Sequence, residues 1–219
     1  MTQSRRQFLG GATVAVAALG IPKRGRAEDS DDDVPATEDL MREHGILRRL
    51  LLVYGEVIRR VQAKQEVKPA IVSQSAEIVR AFIEDYHERD EEEFIFPRFQ
   101  KGQGKLTELV NVLLRQHRAG RTLTAEILRQ AGRDRQQLVL AMSQFVRMYE
   151  PHAAREDTVL FPAFRRLIGP KELDKLKDVF EDKEKALPGG GFEKRVDDVA
   201  AIERALGIED LALFTPKLG

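Results

Sequence analysis

Four histidines and two glutamates carry the chemistry that this sequence offers. His87 and Glu91 stand four residues apart, and so do His152 and Glu156. An apolar run closed by Phe-Pro and one more Phe follows each pair: "FIFPRF" behind the first, "VLFPAF" behind the second. His44 and His117 stand alone. Residues i and i+4 share one face of a helix, so each pair aims an imidazole and a carboxylate the same way. There is no cysteine, which rules out disulfides, thiolate metal sites and a cysteine nucleophile.

The elements that must position these groups are helices. From Thr37 onward the 3.6-residue period dominates, and the alternation of a strand-rich chain is missing. Thr37 is expected as an N-cap, with Glu38 and Asp39 in the first turn. A first stripe runs Leu40, His44, Leu47, Leu51, Tyr54, Ile58, Val61. A second, in a helix expected from about Lys68 to Phe96, runs Val72, Ala76, Val79, Ile83, His87, Glu91, Phe94. The third is Leu106, Val110, Leu113, His117, Gly120, Thr124, Ile127. The fourth is Leu138, Met142, Phe145, Tyr149, His152, Glu156, Val159. Pro151 sits inside the fourth pattern and is expected to bend it. The breaks "KGQGK" and "AGRD" are short. The economical fold is therefore all-α: an antiparallel up-down four-helix bundle over residues 37–187, with extra C-terminal helices. A fifth helix is expected over Pro170 to about Leu187. After "PGGG" comes a tail, residues 188–219, with a short helix near Glu193 to Leu206 stopped by Gly207.

Each of the four histidines falls on the inward stripe of a different helix, and Glu91 and Glu156 fall there too. An unpaired buried carboxylate costs several kcal/mol, on the order of the desolvation of a charge. Lys and Arg are not regularly placed on the stripes to offset it. Of the run "ERDEEE", only Glu91 is expected to point inward. A pair of metal ions satisfies the set. If His44 and His87 bind one ion, His117 and His152 the other, and Glu91 and Glu156 bridge, each ion has two nitrogens and two oxygens. An octahedral ion then keeps positions open. Mixed donors with open positions favour iron; manganese stays open, and a closed tetrahedral zinc site leaves the repeat unexplained. A ferritin-like Glu-x-x-His pair fits once, at Glu84 and His87, and fails at the second copy, where Tyr149 precedes His152. Tyr149 is read as a core residue with a satisfied hydroxyl, or as a group supporting His152. Tyr54 is too far from His44, about 15 Å along the helix, to share its ion.

His44, His87-x-x-x-Glu91, His117 and His152-x-x-x-Glu156, with the two Phe-Pro runs, resemble the hemerythrin-like, HHE cation-binding family over about residues 37–187. The resemblance implies a non-heme, carboxylate-bridged centre of two iron ions inside the bundle, open to dioxygen or another small ligand. The oxygen-carrying members place a further His one turn after the third-helix His. Arg121 stands there in this chain. They also end in H-x-x-x-x-D, and this chain offers both Glu156 and Asp157; Asp157 lies about 100° off the stripe, so Glu156 is the expected donor. Three readings follow: a protein that binds or senses dioxygen or nitric oxide, a redox enzyme acting on peroxide or nitric oxide, or a bundle that metal merely holds together. The partner expected is a small diatomic ligand or oxidant.

Residues 1–27 carry five basic residues and no acidic one. "SRRQFLGGATVAVAALG" resembles a twin-arginine export signal, with a small residue before a cut after Ala27. Its apolar run is too short to span a bilayer. Export by that route, to the periplasm or outside the cell, is the expectation. An acidic leader follows over residues 28–36. The remainder holds 31 basic and 36 acidic residues, so its net charge of −5 gives no attraction to nucleic acid or to an anionic membrane.

Overall fold

The computed structural model describes residues 34–217. The signal expected over residues 1–27, and the leader up to residue 33, lie outside them. The described residues are all-helical, without a strand. Helix α1 spans Ala36–Gln62. The expected Thr37 cap is replaced by Pro35, whose ring presets φ at −59° and whose carbonyl accepts from the Glu38 and Asp39 amides. Thr37 is itself inside the helix and buried, donating to Glu38 at 2.9 Å.

The second helical stretch reaches further than expected and changes its winding. It comprises α2 (Pro69–Ile78), a π-helical segment (Val79–His87), α3 (Glu88–Asp90), a second π segment (Glu91–Ile95) and α4 (Pro97–Gln100). The third helix is α5 (Lys105–Gln130). The fourth begins with α6 (Arg135–Arg155), which continues through Pro151. Asp134 caps it by accepting from the Gln136 and Gln137 amides. A π segment (Glu156–Leu160) and α7 (Phe161–Ile168) follow. Then come α8 (Pro170–Lys185) and α9 (Phe192–Leu206), the latter ended by Gly207 at φ +66°.

The two Phe-Pro runs account for the two short π segments. Pro97 and Pro162 have no amide hydrogen, and a proline ring crowds the carbonyl four residues back. In both places the carbonyl of the glutamate at the segment's start accepts instead from the residue five on: Glu91 from Phe96, at 2.8 Å, and Glu156 from Phe161. A five-residue turn shifts the inward face by one position. Hence Ile95 and Leu160 are fully buried where a uniform α-helix places Phe94 and Val159. Val159 is exposed and Phe94 only half-buried.

Contacts between the first and fourth helices run in opposite sequence order: Tyr54 meets Phe145, His44 meets Asp157, and Glu38 meets Arg165. The second and third pair likewise, Arg121 with Glu88, His117 with Glu92 and Thr107 with Phe99. The helices pack as a bundle around two apolar clusters. One gathers Leu50, Tyr54, Phe82, Ile127, Met142 and Phe145, and takes in Val199, Ile202 and Leu206 from α9. The other gathers Leu40, Phe96, Leu113, Phe161, Phe164 and Phe180. Between them lies one polar layer, and all four histidines are in it.

Candidate metal centre

His44, His87, Glu91, His117, His152 and Glu156 are all buried in this layer. The structure brings the six together. The Nε2 atoms of His44 and His87 are 3.0 Å apart. The rings of His117 and His152 have centroids 5.1 Å apart. Glu91 stands between the two pairs, one oxygen 3.7 Å from His87 Nε2 and the other 3.5 Å from His117 Nε2. Glu156 lies 3.4 Å from His44 Nε2 and 3.0 Å from His152 Nε2. The donor atoms of Glu91, His117, His152 and Glu156 lie within 4.8 Å of one another, as do those of His44, His87 and Glu91.

The outer nitrogen of every ring is held. His44 Nδ1 donates to Asp157 at 2.6 Å and His87 Nδ1 to Glu43 at 2.6 Å. His117 Nδ1 donates to Glu92 at 3.0 Å and His152 Nδ1 to the Gln116 side-chain oxygen at 3.0 Å. With the proton on Nδ1, each Nε2 lone pair points into the layer. Two lone pairs 3.0 Å apart repel unless a cation lies between them. Two nitrogens at about 2.1 Å from one ion, at a right angle, are about 3.0 Å apart, so the spacing fits shared coordination. The four oxygens of Glu91 and Glu156, and His117 Nε2, have no hydrogen-bond partner of good geometry. Buried polar atoms left so demand an explanation, and a cation supplies one.

The buried groups of the layer titrate in different directions. Burial, and the charge of Glu156, push the Glu91 carboxyl well above its usual range. Burial acts on Glu156 too, but His152 and His44 outweigh it and hold this carboxyl well down. Burial and the neighbouring His44 press His87 far below the usual imidazole range, into the neutral form a metal needs. Burial opposes the charged form of His44 as well, yet Asp157 and Glu156 raise it.

Two expectations are corrected. Glu91 is not the only inward member of "ERDEEE": Glu88 and Asp90 are also buried. Burial lifts Glu88 to about 7 and Asp90 to about 6. A basic residue does serve the layer. Arg121 is 2.8 Å from Glu88 and 2.9 Å from Glu92, and Arg48 binds Asp157. Tyr149 is a core residue whose hydroxyl donates to Glu88 at 2.6 Å, with its ring edge-on to His152. Gly120 makes room for it: a Cβ there would lie 1.9 Å from that hydroxyl. Tyr54 lies in the apolar cluster, away from the centre.

Glu43, Glu92 and Gln116 escaped the sequence reading, and Asp157 was weighed there only as a donor, but the four holders left a signal. Glu43 and Gln116 immediately precede the lone histidines. Glu92 and Asp157 immediately follow the paired glutamates. Each is about 100° around its helix from the stripe, which aims it at a neighbouring helix's histidine. A shift of 73 residues carries Glu43, His44 and Arg48 onto Gln116, His117 and Arg121. A shift of 65 carries His87, Glu91, Glu92 and Pro97 onto His152, Glu156, Asp157 and Pro162. The layer is one pattern built twice.

Residues 36–164 match the family model described as the hemerythrin HHE cation binding domain. An uncharacterized protein of Mycobacterium bovis is 45% identical over 208 residues, covering 89% of this chain and 80% of its own length. Two uncharacterized proteins of Mycobacterium tuberculosis strains match with the same identity and coverage. No solved structure matches.

Proposed function

Because the chain belongs to the hemerythrin HHE cation-binding family, we propose that its polar layer holds two non-heme iron ions and takes up dioxygen or nitric oxide at an open coordination position. His44 and His87 would be the nitrogen donors to one ion, His117 and His152 to the other, and Glu91 and Glu156 would supply carboxylate oxygens to both. The observation that carries this reading is the set of orphaned oxygens on two fully buried glutamates, each placed between two inward Nε2 atoms. The opposed contact order of the first with the fourth helix and of the second with the third, together with the short connections 63–68 and 131–134, supports an up-down arrangement of all four.

Iron bound there would supply exchangeable coordination and a change of oxidation state. The chain's own residues do the rest. Glu43, Gln116, Glu92 and Asp157 fix the ring orientations and keep each Nε2 unprotonated. Arg48 and Arg121 offset the charge of the holders. Phe161 stacks on His44 at 5.7 Å and Phe96 on His117 at 5.2 Å. These aromatic walls keep bulk water from the layer. The enzyme reading, turnover of peroxide or nitric oxide, draws on Tyr149, edge-on to His152, and on Glu88, which accepts from Tyr149 and lies 3.9 Å from His117 Nδ1; ligand binding alone does not use these groups. We propose further that the protein is exported by the twin-arginine route, on the strength of "SRRQFL" at residues 4–9.

The test is elemental analysis of protein expressed with its leader and purified without chelator, followed by optical spectra under dioxygen, nitric oxide and peroxide. About two irons per chain, with spectral changes on adding dioxygen or nitric oxide, is the expected result. Two zincs, or a single ion, overturns it in favour of a structural metal. Sustained loss of peroxide moves the reading to the enzyme.

A further inference from the structure

The pattern built twice is not the same both times. Of the four groups that hold an outer imidazole nitrogen, three are carboxylates. The exception is Gln116, which stands where the first half has Glu43. His44 and His87 both rest on carboxylates, each at 2.6 Å. His117 and His152 rest on Glu92 and on an amide oxygen, each at 3.0 Å. Glu92 is moreover shared with Arg121, at 2.9 Å. Arg48 shares Asp157 in the same way, so the arginines cancel in the comparison and the difference between Glu43 and Gln116 stands.

An imidazole whose Nδ1–H donates to a carboxylate carries more negative charge on Nε2 than one that donates to an amide. It is the stronger donor to a cation. We infer that the two metal positions are inequivalent, that the His44–His87 position fills first and holds its ion more tightly, and that Glu43 against Gln116 is the pair that sets this order. The inference rests on the two-ion reading above. Glu43 and Gln116 act as positioning residues: each meets a histidine at its outer Nδ1, on the side away from the Nε2 atoms.

The experiment is a titration of the chelator-stripped full chain with zinc. It is followed by calorimetry and by the ring-nitrogen resonances of protein labelled with ¹⁵N in its histidines. Two resolved steps are expected, the first perturbing His44 and His87 and the second His117 and His152. Glu43→Gln weakens the first step about 10- to 100-fold and leaves the second close to its original affinity. Gln116→Glu strengthens the second step by a comparable factor. Because that variant gains a carboxylate rather than losing one, it still tests the idea if Glu43→Gln folds poorly. Two zincs bound with one affinity, or a first step read at His117 and His152, overturns this inference and leaves the two-ion reading standing. One ion per chain overturns both.

Discussion

Glu91→Gln separates what the glutamate does for the fold from what it does for the metal, because the two effects have opposite signs. Glu91 is fully buried and neither oxygen has a hydrogen-bond partner. Its carboxyl is raised well above the usual range, first by burial and then by Glu156. A carboxyl raised on folding gives up stability as pH climbs past its unfolded value, about 4.3, because the unfolded chain sheds its proton first. At neutral pH the metal-free protein bears that loss. The amide has the same shape, no charge and no proton to hold. Relieving an unsatisfied buried acid contributes about 1–3 kcal/mol. For a chain of this length that raises the melting temperature by about 2 to 12 °C. Metal does the reverse. At a free ion concentration 1,000 times its Kd, one bound ion stabilises by about 4 kcal/mol, or about 8 to 16 °C. The variant forfeits a large part of that gain, since it lacks the oxygen shared between the histidine pairs. Thermal unfolding of wild type and variant, each with chelator and with ferrous iron under anaerobic conditions, gives the four values. Expected is a variant more stable than wild type with chelator and less stable with iron. A variant less stable under both conditions would refute the reasoning, since it would make Glu91 a structural hydrogen-bonding group.

Other outcomes follow from the same geometry. Glu156→Ala lowers metal content by elemental analysis far more than Asp157→Ala does, because Asp157 touches only the outer nitrogen of His44 while Glu156 faces the inward Nε2 atoms; equal losses would argue against Glu156 as a donor. Gly120→Ala drives a methyl into the Tyr149 hydroxyl and destabilises by about 1–3 kcal/mol in denaturant titrations, with part of the loss recovered in the double variant that adds Tyr149→Phe. In chelator-treated protein Glu88 and Asp90 each give up stability as pH rises from about 4 to about 7, against an opposite contribution from His87, which is held neutral in the native state. Glu88, lifted to about 7, and Asp90, lifted to about 6, keep their protons in the native state longer than in the unfolded one. Glu88→Gln removes its share of that loss, on the order of 3 kcal/mol, measured by urea midpoints across the range.

The helical stripes were legible because a helix face repeats at one period, and Leu47, Val79, Leu113 and Phe145 lie where that period puts them. Phe94 and Val159 do not, and the cause was in plain view: Pro97 and Pro162 force a five-residue turn that a uniform 3.6-residue count cannot represent. That His44, His87, Glu91, His117, His152 and Glu156 face inward was legible for the same reason as the stripes. Glu43, Glu92, Gln116 and Asp157 were not, since a residue one place off the stripe reads as solvated until the neighbouring helix is known. Glu88 and Asp90 misled in that way also. They sit in a run of charges, yet Tyr149 and Arg121 cover one and Lys183 of α8 pairs with the other. No periodicity within a single helix carries that information.

The departures from the twofold pattern gather on one side. Arg48 and Arg121 correspond, and both bind the carboxylate that follows a paired glutamate. Glu43 has Gln116 as its counterpart, Glu88 has Ala153, Glu84 has Tyr149, and Leu47 has Gly120. The last three changes depend on one another. Tyr149 reaches Glu88 only because Gly120 lacks a side chain, and Glu88 is stable in the core only with Tyr149 and Arg121 beside it. A symmetric layer would suffice to hold two like ions. On the two-ion proposal, the amide behind His152 would weaken the hold on one ion, while the phenol edge-on to His152 and the acid 3.9 Å from His117 Nδ1 would place groups able to donate or accept a proton near it. On that proposal the half around His44 and His87 would be the one built for retention, and the half around His117 and His152 the one whose surroundings suit an exchanging ligand.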